Sequence, residues 1–252
     1  MKKGMRKIKR KLHHAAGHTR LFFSKRPTAG AVASVYGVWL QPNGDDQTFN
    51  FYKDGGYGFF YAQFLRSQKR PFTFLDIGAN QGLYAILASK NRNCRQVHAF
   101  EPVTQTADIL EKKLALNTCN KVTVHRKAIS SSTGQAEIFI KPSHSGVASL
   151  VSGQADTTEM EVISTIAAAD VDALIDDGRD RIIIKIDVEG HEPTVLSELF
   201  KTGFADRVVA IFYECNETRF DPDLALSLLK ENGFSQFEQK GSGQHYDVLA
   251  MR

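Results

Sequence analysis

Residues Phe72–Lys90 read FTFLDIGANQGLYAILASK, and the fold of the chain turns on this stretch. Phe72 to Ile77 is a short apolar run, the pattern of a strand buried on both faces. Gly78-Ala79-Asn80-Gln81-Gly82 then turns sharply, and Leu83, Ile86 and Leu87 follow on one side of a helix. A buried strand feeding a helix through a glycine turn sets backbone N–H groups at the carboxyl edge of a sheet, where open α/β sheets bind nucleotides. Gly78 and Gly82 carry no Cβ and let the backbone approach a ligand. Asp76 stands on the last turn of the strand. A dinucleotide-binding turn reads G-x-G-x-x-G. Here no second glycine stands beside Gly78 to admit a pyrophosphate, so the turn suits a nucleoside ligand without phosphates.

Downstream, Gln96-Val97-His98-Ala99-Phe100 is a second buried strand, ended by Glu101-Pro102. Glu101 follows Gly82 by about 20 residues, the place where an acid at the second strand tip accepts hydrogen bonds from ribose hydroxyls. Thr104 can cap the helix that runs on to Leu116. Val122–Ile129 reads as a third strand, and its end, Ala128-Ile129-Ser130, is placed to flank an adenine ring. Arg181–Glu192, RIIIKIDVEGHE, is a fourth strand whose carboxyl end offers Asp187, Glu189, His191 and Glu192 within six residues. Side chains alternate along a strand, so Lys185 and Asp187 share a face. Acids gathered at a strand terminus are costly unless they meet a cation, a proton or a donor. Pro193 can open the next helix. Arg207–Glu214 is a fifth strand, again with an acid at its tip. A helix capped by Asp221 and Asn232-Gly233 follows, and Phe234–Glu238 and Tyr246–Met251 close the chain as an antiparallel pair.

Outside these units, residues 31–52 read as a β-hairpin, AVASVYGVWL and QTFNFY flanking a turn at 41–45. Tyr57–Arg66 reads as a short helix with Phe60, Phe64 and Leu65 inward. This aromatic block precedes the sheet and is either packing or a cover for its ligand edge. Residues 142–157 form a polar loop near the site, Met160–Thr165 a strand, and Asp170–Ile175 a helix capped by Asp170. The expected units are a basic leader over 1–30, a hairpin and helix over 31–70, and a main domain over 71–252.

The 252 residues, 42% hydrophobic and 24% charged, suffice for one full core. No apolar stretch reaches the roughly 20 residues of a membrane span, and no apolar region of a secretory signal follows the basic start. Cys94, Cys119 and Cys215 lack metal-type spacing and read as idle thiols in a reducing compartment, which suits a cytoplasmic location. Residues 1–26 hold ten Lys or Arg and no acid, while the remaining 226 residues balance to −6. Such a leader can touch nucleic acid or an anionic membrane surface; a solvated, poorly ordered segment is the expectation. His13, His14 and His18 within it have no acid or cysteine beside them and read as surface residues.

LDIGANQG, AFEP and KIDVEGHE together resemble the signature stretches of FkbM-family S-adenosylmethionine-dependent methyltransferases. The resemblance runs from Phe72 to about Phe200. It implies an α/β, class I methyltransferase (Rossmann-like) fold: a mostly parallel sheet with an antiparallel C-terminal hairpin strand and helices on both faces, here with an N-terminal β-hairpin and helix extension. By position it implies that Asp76, Gly78, Ala79, Asn80 and Gly82 cradle the methionine and ribose part of the donor. Glu101 and Pro102 would meet the ribose, and Ile129 the adenine. Asp187 and Glu189 would lie beside the methyl group.

The expected reaction is O-methylation of a hydroxyl on a sugar, glycan or secondary metabolite, with Asp187, Glu189, His191 and Glu214 as candidates for the group that takes the proton. A divalent cation on clustered carboxylates would serve the same end; it is not expected, and no metal ligands are assigned. The alternatives are an RNA 2′-O-methyltransferase using the basic leader and a nucleoside-binding module without catalysis. The oligomeric state and the acceptor carry no readable code.

Overall fold

The computed structural model describes residues 30–43, 46–56, 58–141, 145–150, 159–175 and 178–252. The basic leader and its three histidines lie outside the described residues. The chain opens with a two-stranded antiparallel ribbon, β1 (Val32–Ala33) and β2 (Trp39–Leu40), followed by α1 (Gln47–Asp54) and α2 (Phe59–Ser67). The hairpin expected over 31–52 is therefore confined to 32–40. Its proposed second limb, QTFNFY, is helical. Asp46 accepts a hydrogen bond from the Thr48 N–H and starts the helix, and Phe49 and Tyr52, three apart, bury one face. A six-residue apolar alternation fits one and a half helical turns as well as a strand, and the cap decides between them. In α2 the buried residues are Tyr61, Ala62 and Leu65, with Phe60 and Phe64 packed at the border. Tyr61 stacks on Phe212 at 4.1 Å and donates to the Ile184 carbonyl at 3.2 Å, fixing α2 across the sheet.

The main sheet has seven strands: β3 (Phe72–Ile77), β4 (Cys94–Phe100), β5 (Val122–His125), β9 (Arg181–Ile186), β10 (Val208–Asn216), β11 (Gln236–Gly241) and β12 (His245–Met251). Their order is β11-β12-β10-β9-β3-β4-β5. The strands from β5 through β10 run parallel, and β12 is antiparallel to both its neighbours. The chain builds outward from β3 to β5, then returns to lay β9 on the other side of β3. The glycine turn after β3 therefore sits where the strand order reverses, the place such sheets leave a crevice.

Alternation along the strands divides the core. Phe74, Ile183 and Phe212 face α2, α3 (Leu83–Ser89) and α4 (Thr104–Leu116). Leu75, Ile184 and Ile211 face the other way, toward α5 (Ala168–Leu174), α6 (Glu192–Leu199) and α7 (Pro222–Glu231). Thr104 is the first residue of α4 and does not cap it. Its N–H and hydroxyl both meet Glu161, and Val103 holds the cap position. Likewise Ala167, not Asp170, precedes α5.

The expected third strand is split. β5 ends at His125, the Lys127 N–H closes a tight turn onto the His125 carbonyl, and Ala128–Ile129 forms β6 in a separate small sheet. That sheet has the order β6-β8-β7, with β7 at Gly134–Ile140 and β8 at Glu159–Ile166. It buries Ile138 and Ile163 against Val103. Among the described residues, no helix is long and apolar enough to cross a membrane.

Candidate active site

The strand tips meet at a cavity of 390 Å³ over the carboxyl edge of the sheet. Its floor begins at the glycine turn. The Gly78 and Ala79 N–H groups both donate to the Phe100 carbonyl, and the Asp187 N–H donates to the Ile77 carbonyl, so the turn is held between the tips of β4 and β9. Gly78 has φ +70°, and a Cβ there would lie 1.9 Å from the Asp187 carbonyl oxygen; only glycine fits this crossing. Gly82 has a different task. Its missing Cβ leaves room for Leu110 at 3.0 Å, which lets α3 and α4 approach. Gly78, Asn80, Glu101, Pro102, Ile129 and Asp187 line the cavity, whereas Asp76, Ala79 and Gly82 lie behind its wall.

Asp76 is fully buried beside Lys185. The Lys185 Nζ lies 3.7 Å from Asp76 and 3.2 Å from Asp187, and donates to the Gly78 carbonyl at 2.7 Å. Burial pushes the Asp76 carboxyl up to about 6 against the pull of Lys185. Burial also works to lower Lys185, but Asp187 and Asp76 outweigh it and hold the ammonium above its ordinary value. One buried cation thus ties the acid under the first strand tip to the acid at the fourth. The sequence signals Lys185 only as the single charge in the apolar run Ile182–Ile186.

Glu101 is held at both oxygens: Asn80 N–H donates to Oε2 at 2.8 Å and Val103 N–H to Oε1 at 3.0 Å. Burial pushes its carboxyl up to about 7 despite these donors. Beyond Glu101, Phe100, Pro102, Ala128, Ile129 and Ile138 give the cavity an apolar lining. The donor set therefore fits a nucleoside: a hydroxyl-binding acid beside an apolar lining, with an amide-rich turn at the other end.

The opposite end is acidic. Carboxylate oxygens of Asp187, Glu189 and Glu214 lie within 4.8 Å of one another. Each meets a basic side chain. Lys185 faces Asp187, Arg219 pairs with Glu189, and His245 Nε2 lies 2.8 Å from Glu214. Burial and the neighbouring Asp187 and Glu192 charges push Glu214 up to about 9. Three acids of this spacing can hold a cation, but Lys185 and Arg219 already offset the charges of Asp187 and Glu189. Glu189 has φ +57° and is pinned from both sides. Glu192 accepts the Val188 and Gly190 N–H groups at 2.9 Å each, and the Ser149 hydroxyl donates to the Glu189 carbonyl at 2.9 Å. His191 lines the cavity 3.1 Å from the Ser130 hydroxyl, next to Ile129 in the chain, and burial lowers its pKa.

Two segments remote from the strand tips in sequence complete the cavity lining. Thr48, Phe51 and Tyr52 come from α1, and Ser145, Gly146, Ala148 and Leu150 from the segment before β8. The aromatic block thus covers the ligand edge, and does so through α1.

Residues 76–235 match the methyltransferase FkbM domain. No curated protein matches the chain. Among solved structures, the methyltransferase FkbM from Methylobacillus flagellatus KT shares 17% identity at a TM-score of 0.50, over 81% of this chain and 52% of that one, about half its length. SMU.1697c from Streptococcus mutans, solved in complex with SAH, shares 11% identity at a TM-score of 0.49, over 77% of this chain and 96% of that one. A precorrin-6y C5,15-methyltransferase from Geobacter metallireducens GS-15 shares 14% identity at 0.44, over 76% and 87%. With the family match spanning more than half its length, the chain belongs to the FkbM family of S-adenosylmethionine-dependent methyltransferases.

Proposed function

We propose that this methyltransferase transfers a methyl group to a hydroxyl of a sugar, glycan or secondary metabolite. The observation that carries the reading is the layout of one cavity: a nucleoside-type half at Asn80, Glu101 and Ile129 abuts an acidic half at Asp187, Glu189 and Glu214. S-adenosylmethionine supplies an activated methyl group, so the protein's main task is alignment for in-line attack.

In this reading Glu101 accepts the ribose hydroxyls, the wall around Ile129 takes the adenine, and the Asn80 turn meets the amino-acid end. As the acceptor oxygen bonds to the methyl carbon, the C–S bond breaks and S-adenosylhomocysteine leaves; Asp187 and Glu189 receive hydrogen bonds from the acceptor hydroxyl, stabilise the positive charge building on its oxygen, and one of them takes the proton. Glu214, raised to about 9, is protonated at neutral pH and donates to the acceptor instead of serving as base. His191 sits beside Ser130 and orients the nucleoside half. Paired carboxylates with an aromatic roof at Phe51 suit a polyhydroxylated ring, whose hydroxyls donate to acids while its C–H face packs on an aromatic. Three buried free thiols agree with action in a reducing, cytoplasmic compartment.

Calorimetric titration with S-adenosylhomocysteine and with NAD tests the nucleoside half; binding of NAD alone defeats it. A labelled-donor screen over glycans, phenols, lipids and RNA tests the acceptor class. Methylation of glycans or phenols at oxygen is expected, lost by at least about a hundredfold in Asp187→Asn. Labelling of RNA alone overturns the acceptor class.

A further inference from the structure

We infer that residues 145–150 are a clasp across the cavity, in which Ser145 and Ser149 are positioning residues that let donor binding order the loop bearing Glu189. The inference rests on the proposed methyl-transfer reading, which puts Asn80 in the donor half and Glu189 in the acceptor half. Backbone strain marks both ends of the clasp. Three non-glycine residues among those described have a positive φ: Asn80 at +49°, Thr118 at +56° and Glu189 at +57°. Such a backbone is costly for a residue with a Cβ and persists where its neighbours hold it. Asn80 and Glu189 line the cavity, one in each half, and the same six-residue segment binds both. The Ser145 hydroxyl donates to Asn80 Oδ1 at 2.9 Å and accepts from Gln81 Nε2 at 3.0 Å, a nitrogen that also reaches Asp46 Oδ2 at 2.7 Å. Four residues on, the Ser149 hydroxyl donates to the Glu189 carbonyl at 2.9 Å.

The segment is itself anchored. Ser149 is 2% exposed and exchanges two backbone hydrogen bonds with Phe139 of β7, at 3.0 and 3.1 Å. The small sheet that contains β7 packs Ile138 and Ile163 against Val103. Val103 and Asn80 supply the two N–H groups that hold Glu101. The donor turn, the ribose-type acid, the small sheet and the clasp therefore close a circuit of contacts whose members hold one another in place. A ligand resting on Glu101 and the Asn80 turn restrains Ser145. Ser145 and Ser149 belong to one short, sheet-anchored segment, so the restraint reaches the Glu189 carbonyl. The aim of the Glu189 side chain, which meets Arg219, depends on the φ that Ser149 helps to fix. The two halves of the cavity thus share a coupling free energy, carried by two serine hydroxyls.

The test follows amide hydrogen exchange of residues 187–192 in the full chain, ligand-free and at saturating S-adenosylhomocysteine, with binding of each variant measured by calorimetry. In the native chain the ligand is expected to slow this exchange. Ser149→Ala removes the hydroxyl and keeps the backbone pair with Phe139. It is expected to bind S-adenosylhomocysteine and to lose about three- to tenfold of the slowing, the worth of one hydrogen bond. Ser145→Ala cuts the other end of the clasp and is expected to lose a similar share. A role confined to packing would speed exchange equally with and without ligand, and leave the ratio of the two rates unchanged. A native ratio in either variant overturns the inference, as does a native chain that binds S-adenosylhomocysteine without slowing residues 187–192. Failure of the native chain to bind S-adenosylhomocysteine is a different result, and removes the methyl-transfer reading itself.

Discussion

The backbone N–H of Asn80 donates to the Glu101 side chain at 2.8 Å, so the tips of two adjacent strands share one carboxylate. Glu101 also accepts from Val103, and is 6% exposed. It is a strut of the site as well as a candidate ribose ligand. Glu101→Gln turns one acceptor into a donor aimed at a backbone N–H. We expect a loss of about 1–3 kcal/mol of stability and at least tenfold weaker S-adenosylhomocysteine binding, read by chemical denaturation and calorimetry. Unchanged values in both would show that the carboxylate charge has no task here.

The two glycines Gly78 and Gly233 separate steric from conformational cost. Both have positive φ, +70° and +83°, but a Cβ at Gly233 meets nothing within 4 Å, whereas one at Gly78 meets the Asp187 carbonyl at 1.9 Å. Gly233→Ala is expected to cost about 1–2 kcal/mol from the left-handed backbone alone. Gly78→Ala must also push β3 from β9, and is expected to abolish donor binding. Comparable stability and binding in the two variants would contradict the close crossing.

Lys185 serves two acids, the buried Asp76 and the half-buried Asp187, and removing one member of such a cluster strands the rest. Lys185→Met is expected to cost about 3–5 kcal/mol, measured by denaturant unfolding. Adding Asp76→Asn to it should recover part of the loss, because a neutral amide tolerates the site better than a lone carboxylate. A double variant no more stable than Lys185→Met alone would mean that the ammonium acts chiefly through its bond to the Gly78 carbonyl.

Stability should fall as pH rises from 5 to 7.5 in the ligand-free protein. Burial raises Asp76 to about 6, and Glu101, Glu192 and Asp247 to about 7, so these carboxyls hold protons when folded that they release when unfolded near pH 4. The folded state then binds more protons in that window, and stability is greatest on its acid side. His125, lowered to about 4 by burial and by His98, and His191, lowered by burial, oppose the trend up to their unfolded value of 6.5, and Lys113, lowered to about 7 by burial, opposes it at the alkaline end; the four carboxyls, joined by Glu214, outweigh them. Thermal unfolding across this range should show the decline. A rise from pH 5 to 7.5 would contradict the burial of these acids.

Much of this molecule is legible in one dimension. The parallel strands announce themselves as apolar runs because both their faces are buried, and the Gly78–Gly82 turn, Glu101 and Asp187 mark their carboxyl ends. Those features depend only on neighbours in the chain, and they fix the fold class and the family resemblance. What lay beyond reading were relations between distant segments. QTFNFY became a roof helix because Asp46 caps it and Gln81 holds Asp46. Asp76 and Gly82 proved to support the site from behind, since burial and helix contact are not written in spacing. Arg219 and His245 reached the acids from β10's loop and from β12. Local periodicity records which face of a strand or helix is apolar; only the assembled tertiary structure decides which polar side chains meet, because that depends on distances across the sheet and not along the chain.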